Sequence, residues 1–202
     1  MDPGLLEAIK SRRSVRFFKP DPVPREVVER ILEAAIHAPN AGNAQQWFFI
    51  VVESEEKRRE IHRLLKQAHR IYATWALREH MPPEKVEKWM RLIDEGMYWA
   101  PIYVAAYIDM RSPRLIPELR ELEELMAVQS LAAAIENMIL AAHAMGLGAV
   151  WLGVPLLIEK RFNEVLQPPP GCRLQAVIAL GYPAEEPKPR PRKPLSEVVK
   201  FV

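Results

Sequence analysis

Three arginines and a serine lie close together near the N-terminus. Arg12, Arg13, Ser14 and Arg16 fall within five residues, directly after the first predicted helix. Forked guanidinium donors suit a phosphate group, so this cluster could hold a phosphorylated ligand. The alternative is a solvated basic helix end, whose charge complements the negative pole of the helix dipole. Taken alone, the cluster favours this second interpretation.

A loop rich in side-chain amides forms the second candidate. Residues 39–47 carry Asn40, Asn43, Gln45 and Gln46 between a predicted helix and a predicted strand. Amides present both donors and acceptors, so such a set could read the edge of a heterocycle such as a flavin pyrimidine ring. Asn and Gly are also ordinary turn residues. Four amides in seven residues exceed what a turn needs, and the two interpretations stay open.

A third segment places Gly146, Gly148 and Gly153 around a predicted strand. Glycine permits a close backbone approach or a positive φ. The order of helix, glycine and strand is the reverse of the dinucleotide-binding fingerprint, in which the glycines follow a strand and open a helix. The chain also lacks the glycine-rich loop with lysine that holds the phosphates of ATP.

The histidines give no sign of a metal centre. Their spacing does not combine with a carboxylate in any pattern typical of a metal site, so no metal is predicted. Each is expected to be an ordinary surface or core residue. They are His37, His62, His69, His80 and His143.

The composition restricts the class of protein. Lys and Arg total 28 against 26 Asp and Glu, a formal net charge of +2, which argues against a nucleic-acid-binding protein. Cys172 is the single cysteine, so no intramolecular disulfide is possible. The N-terminus lacks a basic and then apolar signal segment, so a cytoplasmic location is expected. Residues 137–158 carry no charge, but their glycines and proline indicate a helix, a turn and a strand rather than a membrane span.

The length of 202 residues is enough for one domain with a sizeable core, so a single domain is expected over residues 1–202. The strand over 47–52 is continuously apolar and is expected at the centre of a sheet. The helix over 117–145 begins charged and becomes apolar, so its later part is expected in the core. Residues 183–202 form a Pro-rich, basic arm with an apolar end, which is expected to dock on a partner subunit; the alternative is a frayed terminus. The other predicted elements are helices over 3–12, 24–37, 54–72, 82–96 and 158–166, and strands over 102–108, 149–154 and 175–180.

Together these segments resemble the FMN-dependent nitroreductase family, in the same order and over nearly the whole chain. The matching motifs are Arg-Arg-Ser-x-Arg after the first helix, Ala-Pro-x-x-x-Asn-x-Gln-x-Trp before a strand, Gly-Leu-Gly after the long helix, and Leu-Gly-Tyr-Pro before a basic tail. The resemblance implies an α+β fold, a nitroreductase-like α-β-α sandwich with a central, mostly antiparallel sheet flanked by helices. It also implies an intertwined homodimer with two FMN sites at the subunit interface.

The resemblance also implies which residues contact the cofactor. The arginine cluster is expected at the phosphate, ribityl chain and pyrimidine edge, and two tail arginines return to the phosphate. The amide loop is expected to touch the flavin, usually from the other subunit, and a backbone pair lies near flavin N5 and O4. These residues are Arg12, Arg13, Ser14 and Arg16; Arg190 and Arg192; Pro39, Asn40, Ala41, Asn43 and Gln45; and Leu152 and Gly153, with Gln129 a weaker candidate.

Three departures from the family pattern blur the subfamily, and with it the substrate. Asn40 stands where the family usually has serine, Gln46 where it usually has proline, and Ser130 where it often has an acidic residue. None of them removes a residue expected to anchor FMN.

The resemblance implies that the flavin carries the chemistry and that no side chain acts as a nucleophile. NADH or NADPH is expected to reduce the flavin at N5, and a small oxidised acceptor such as a nitroaromatic or quinone reoxidises it in a ping-pong scheme. Tyr72, Trp75 or Trp89 is expected to line the substrate pocket, with dimer-interface packing as an equal alternative. The rival functions are a flavin-binding module without NAD(P)H turnover, a relative with reductive dehalogenase or flavin-cleaving activity, and a basic nucleic-acid-binding protein.

Overall fold

The computed structural model describes residues 3–77, 81–111 and 117–202, and within them it contains one four-stranded sheet. Its order is β1-β2-β4-β3, and every neighbouring pair of strands is antiparallel. The predicted α+β fold with a mostly antiparallel central sheet is therefore confirmed. The strands are β1 (Trp47–Val52), β2 (Ile102–Asp109), β3 (Gly148–Leu152) and β4 (Cys172–Gly181).

Helices cover the sheet, and local sequence signals set several of their ends. The Ser54 hydroxyl accepts a hydrogen bond from the Lys57 N–H and begins α3. Gly146, at φ +78°, follows the end of α5. The predicted helices and strands are all found, with ends shifted by a few residues. The helices are α1 (Pro3–Ser11), α2 (Arg25–Ile36), α3 (Glu55–Tyr72), α4 (Pro83–Asp94), α5 (Arg120–Ala144), α6 (Glu159–Leu166) and α7 (Leu195–Val198).

Each face of the sheet has its own hydrophobic core. Side chains alternate along a strand, so Val104 and Ala106 of β2 pack beneath α2 and α5, whereas Tyr103 and Ala105 pack beneath α3 and α6. The later, apolar part of α5 is buried in the first core, as its composition predicts. The result is a layer of strands between two layers of helices.

The prediction that strand 47–52 lies at the centre of the sheet is wrong. Among the described residues β1 pairs only with β2 and so occupies an edge. Trp47 and Phe49 pack toward one core, and Phe48 and Ile50 pack toward the other. Because both faces of β1 are covered, its apolar run needs no second strand to explain it.

The uncharged stretch over residues 137–158 forms the end of α5, a turn and β3, as predicted. Within the described part of the chain α5 is long and apolar enough, by length and composition, to cross a membrane. Eight of its residues are buried against the rest of this chain. That burial is typical of a core helix.

Candidate active site

The arginine segment, residues 12–16, is held along the edge strand β3. Ser14 forms a parallel bridge with Ala149, and the Val15 N–H donates to the Ala149 carbonyl at 3.1 Å. The buried Val15 side chain covers Gly148, where a built Cβ would lie 2.5 Å from Val15 Cγ2. A glycine at this position therefore permits the segment to approach the strand.

The start of the C-terminal arm lies beside the same segment. Phe18 forms an antiparallel bridge with Pro183. The Lys19 N–H donates to the Tyr182 carbonyl at 2.8 Å, and a further backbone hydrogen bond of 3.0 Å joins the Ala184 N–H to the Phe17 carbonyl. Residues near both ends of the chain thus meet next to the arginines.

The arginines of the segment differ in what they contact. Arg12 Nε lies 3.8 Å from the Glu136 carboxylate on α5. Arg13 Nη1 donates to the carbonyls of Lys10 at 2.5 Å and Arg12 at 2.8 Å, which satisfies acceptors at the end of α1. Arg13 Nε is buried and finds no hydrogen-bond partner among the described residues. Arg16 is exposed, and its Nη1 donates to the Ser14 carbonyl at 3.2 Å.

A cavity of about 330 Å³ opens where α1, α5, β3 and the start of the arm meet. Arg12 and Arg13 line it, together with Leu147, Ala149 and Glu186. Both helices bring their C-terminal ends here, where helix dipoles are negative. An anion in this cavity must therefore be held by side chains, and two guanidiniums are donors suited to a phosphate.

The two tail arginines do not line this cavity. Arg190 and Arg192 are exposed on the arm, and Arg192 Nη1 donates to the carbonyls of Arg190 at 3.4 Å and Pro191 at 3.3 Å. Their return to a phosphate stays a prediction. The start of the same arm already contributes Pro183 and Glu186 to the cavity wall.

The amide loop, residues 39–46, is stabilised from within by Asn40. The Asn40 Oδ1 accepts from the Gln45 N–H at 2.9 Å, and Nδ2 donates to the Ala38 carbonyl at 3.3 Å. Asn43 and Gln45 adopt φ of 52° and 51°, in the left-handed region. The Asn40 amide therefore supports the loop, while the exposed Asn43 and Gln45 amides remain the better candidates to meet a ligand.

Ser130 on α5 attaches the loop to the rest of the fold. The Ala41 N–H donates to Ser130 Oγ at 3.3 Å, and the Ser130 hydroxyl donates to the Met126 carbonyl at 2.7 Å. Gln129, the neighbouring weaker candidate, is exposed on the helix surface, as is Pro39 at the start of the loop. In the sequence Ser130 is only a departure from the family pattern, because a contact across 89 residues leaves no local signal.

The predicted backbone pair lies at the end of β3, the strand along which the arginine segment runs. Leu152 is buried, whereas Gly153 is exposed and a Cβ built on it meets no atom within 4 Å. The carbonyl of Arg16 accepts from the Tyr98 N–H at 2.8 Å, which holds this end of the segment in place. The backbone at Gly153 is thus open to a flat ligand.

The arginine segment and the amide loop lie at diagonally opposite corners of the sheet. The segment pairs with Ala149, which lies opposite Leu180 on β4, whereas the loop leads into Trp47, which lies opposite Ile108 and, beyond it, Arg173. Three strand spacings across the sheet, one more from β3 to the segment, and the rise from Arg173 to Leu180 separate them by roughly 30 Å. One chain therefore does not bring both segments to the same small ligand.

The three aromatic side chains predicted for a substrate pocket lie around the end of α3 and on α4. Trp75 is 81% exposed in the π-helical turn Ala73–Leu77, and Tyr72 is 38% exposed. Trp89 is half-buried and packs edge-on against Tyr72, with 6.5 Å between ring centroids, and against the buried His69 at 5.3 Å. Burial lowers the pKa of His69, so this ring is a neutral packing residue.

A cavity of about 510 Å³ adjoins these rings between the π-helical turn and α4. Ala73, Val86, Met90, Arg70 and Thr74 line it, and none of the three predicted rings does. Val86 and Met90 on α4 have the i, i+4 spacing of one helix face. That spacing is the sequence signal that could have identified this cavity. The pocket role of the predicted rings stays a prediction.

Large apolar side chains are exposed on α1, near the start of α5 and along the arm. Single exposed apolar residues are ordinary, but groups of them are typical of surfaces that associate. The residues are Leu5, Leu6 and Ile9; Leu119, Leu122 and Leu125; and Leu195, Val198, Phe201 and Val202.

Known proteins resemble this chain over most of its length. The family model described as Nitroreductase family matches residues 9–182. A protein from Archaeoglobus fulgidus named NADH dehydrogenase/NAD(P)H nitroreductase is 33% identical over 183 residues, which cover 90% of this chain and 86% of that protein. A protein from Rhodospirillum rubrum named 5,6-dimethylbenzimidazole synthase is 32% identical over 190 residues, covering 91% and 83%.

A solved structure agrees with the sequence relatives. The BluB-like flavoprotein from Clostridium difficile 630 superposes with a TM-score of 0.77 at 26% identity, and the match covers 98% of each chain. The predicted nitroreductase-like sandwich is thereby confirmed. With a family model across the motif-bearing part of the chain, relatives above 30% identity and a common fold, this chain belongs to the nitroreductase family.

Proposed function

We propose that this protein binds FMN as a homodimer and passes electrons from NADH or NADPH to a small oxidised acceptor such as a nitroaromatic or a quinone. The observation that carries the proposal is the arginine segment packed on Gly148, which directs Arg12 and Arg13 to a cavity at the start of β3, while the open backbone of Gly153 follows the other end of the same strand. The relatives named as NAD(P)H nitroreductase support the same activity.

The residues of the cavity fit the phosphate of FMN. A phosphate monoester carries close to two negative charges near neutral pH. Arg12 and Arg13 supply opposite charge with forked donors, and the buried, unpartnered Arg13 Nε is a donor that an anionic acceptor would satisfy. Glu136 near Arg12 and Glu186 on the arm oppose this charge, so the two predicted tail arginines would strengthen the site.

The other end of the segment fits the ring system. Bound FMN supplies the chemistry by accepting and donating a hydride. The chain orients the ring: Arg16 is exposed beside the end of β3, and Gly153 leaves its backbone open. The Arg16 guanidinium would supply positive charge to the reduced ring system, which carries negative charge, and so would favour reduction.

A second copy of the chain would complete the site. The amide loop lies roughly 30 Å from the arginine segment of its own chain, so the predicted contact of Asn43 and Gln45 with the flavin needs the loop of a partner. Exposed apolar residues on α1, α5 and the arm offer surface for that association. The arm, residues 183–202, is proposed to dock on the partner, and the single buried, free Cys172 suits the proposed cytoplasmic location.

A second candidate function stays within flavin chemistry. The relative named 5,6-dimethylbenzimidazole synthase is nearly as similar as the nitroreductase relative, which supports flavin-cleaving activity as the alternative. Reductive dehalogenation and flavin binding without turnover are further alternatives that the same experiment separates.

A visible spectrum of the purified protein with added FMN tests the proposal. We expect a yellow protein that NADH or NADPH bleaches in the absence of oxygen, and whose colour a quinone or nitroaromatic restores. Protein that stays colourless refutes the proposal. Yellow protein that nicotinamide does not bleach indicates a binding module, and loss of the flavin itself under oxygen indicates the cleaving activity.

A further inference from the structure

His143 lies on the last turn of α5 and lines the same cavity as Arg12 and Arg13. Its Nε2 is 2.9 Å from the hydroxyl oxygen of Ser11, at the end of α1. The Ser11 hydroxyl in turn lies 2.7 Å from the Glu7 carbonyl, to which it donates. The imidazole is therefore held in place by a hydrogen-bonded chain that links α5 to α1.

These two hydrogen bonds determine which nitrogen of His143 carries a proton. A serine hydroxyl has one hydrogen, and Ser11 donates it to the Glu7 carbonyl. Ser11 must then accept from His143, so Nε2 carries a hydrogen. The other ring nitrogen, Nδ1, is an acceptor in the neutral imidazole and becomes a donor only when the ring is protonated. An anion in the cavity therefore favours the charged ring.

Charged groups of both signs surround His143 on the cavity wall. Arg12 and Arg13 face it from the segment after α1, and Arg12 is near Glu136 of α5. Glu186 faces it from the arm. The negative ends of α1 and α5 also favour a cation at this position. Because Glu136, Glu186 and the helix ends offset the two guanidiniums, an anion of more than one charge would gain from a third cation on the wall.

We propose that His143 is a phosphate-binding residue of the FMN site, which adds a proton-dependent cation to Arg12 and Arg13. This inference rests on the proposed function and deepens it. FMN binding protonates His143, and the ring releases that proton when FMN leaves. The protein therefore holds FMN more tightly on the acid side, and riboflavin, which has no phosphate, gains nothing from His143.

The sign of the pH dependence follows from linkage. If bound phosphate favours the protonated ring, the contribution of His143 is present below the ordinary imidazole pKa of about 6.5 and is lost as the pH rises above it. A shift of one pKa unit corresponds to a tenfold change in affinity. The phosphate of FMN itself titrates near pH 6, but this affects every variant, so the ratio between variants isolates the histidine.

The test measures dissociation constants for FMN and riboflavin by flavin fluorescence, for the full-length protein and for His143→Gln. Measurements are made about one unit below and about two units above the imidazole pKa of about 6.5. His37→Gln is the matched control, because His37 is exposed at the end of α2 and does not line the cavity. Phosphorus NMR of bound FMN gives a second readout at the phosphate.

We expect His143→Gln to weaken FMN about tenfold at the lower pH and much less at the higher pH, with riboflavin unchanged. We also expect the phosphorus resonance to shift in this variant and to stay in place in His37→Gln. An equal loss for FMN and riboflavin, or an FMN loss independent of pH, overturns the inference while leaving FMN binding intact. Protein that binds neither flavin in its native form refutes the proposed function instead.

Discussion

Replacement of Gly148 by alanine tests whether the arginine segment depends on its close approach to β3. A Cβ on Gly148 would lie 2.5 Å from Val15 Cγ2, 2.6 Å from Val15 Cβ and 2.9 Å from Val15 Cγ1. Three contacts this short cannot be relieved by rotating one side chain, because the Val15 Cβ is attached to the backbone. The Gly148→Ala variant must therefore move Val15 away from the strand.

The expected cost follows from this displacement. Val15 is 4% exposed, and overpacking a filled site costs about 1–3 kcal/mol. For a chain of this size each kcal/mol lowers Tm by about 2–4 °C, so we expect Tm to fall by about 2–12 °C. The same shift strains the bond from the Val15 N–H to the Ala149 carbonyl and displaces Arg12 and Arg13 at the cavity. Loss of one charge-assisted bond, about 1.5 kcal/mol, weakens FMN about tenfold.

Two measurements make this prediction specific. Thermal unfolding by circular dichroism gives the change in Tm, and flavin fluorescence gives the FMN dissociation constant of the folded variant. Gly153→Ala is the control for stability, because its new Cβ meets no atom within 4 Å and its φ is −91°. If Gly148→Ala unfolds at the native Tm and binds FMN with native affinity, the argument that glycine holds the segment on β3 is refuted.

Other predictions concern the loop, its anchor and the α3–α4 region. Asn40→Ala removes the hydrogen bonds to the Gln45 N–H and the Ala38 carbonyl, which support the loop at left-handed Gln45, so we expect the free energy of unfolding in urea to fall by about 1–2 kcal/mol and FMN binding to weaken; native values for both would contradict this. Ser130→Ala removes the acceptor of the Ala41 N–H, so we expect the free energy of unfolding in urea to fall by about 1 kcal/mol. Ser130→Thr keeps a hydroxyl acceptor and should retain most of that stability. Trp75→Ala should leave the unfolding free energy within about 0.5 kcal/mol, and unchanged steady-state KM values for every acceptor would reject its pocket role. Burial lowers the pKa of His69 in the folded protein, so as the pH falls the unfolded chain takes up this proton before the folded chain does. We therefore expect Tm to decline as the pH falls below about 6.5, and to decline less in His69→Phe.

The site residues show where sequence reasoning reached its limit. The arginine segment, the amide loop and the glycines around β3 could each be recognised from residue type and order, because each is a short motif. The separate duties of Arg13 and Asn40 could not, since their partners are main-chain carbonyls and N–H groups that only the folded backbone brings near. His143 is predicted from the sequence to be an ordinary histidine, and its place beside Ser11, 132 residues away, depends on how α1 and α5 pack.

Local chemistry along the chain determined the helices, the strands and their approximate ends, through hydrophobic period, the Ser54 cap and glycine stops. Long-range packing decided which of those strands lies at an edge, and the apolar run of β1 could not reveal it because helices cover both of its faces. Tertiary structure alone placed the amide loop and the arginine segment at opposite corners of the sheet. The physical reason is that side-chain pattern reports burial at a position, whereas strand order and the meeting of distant helix ends depend on the whole chain being folded together.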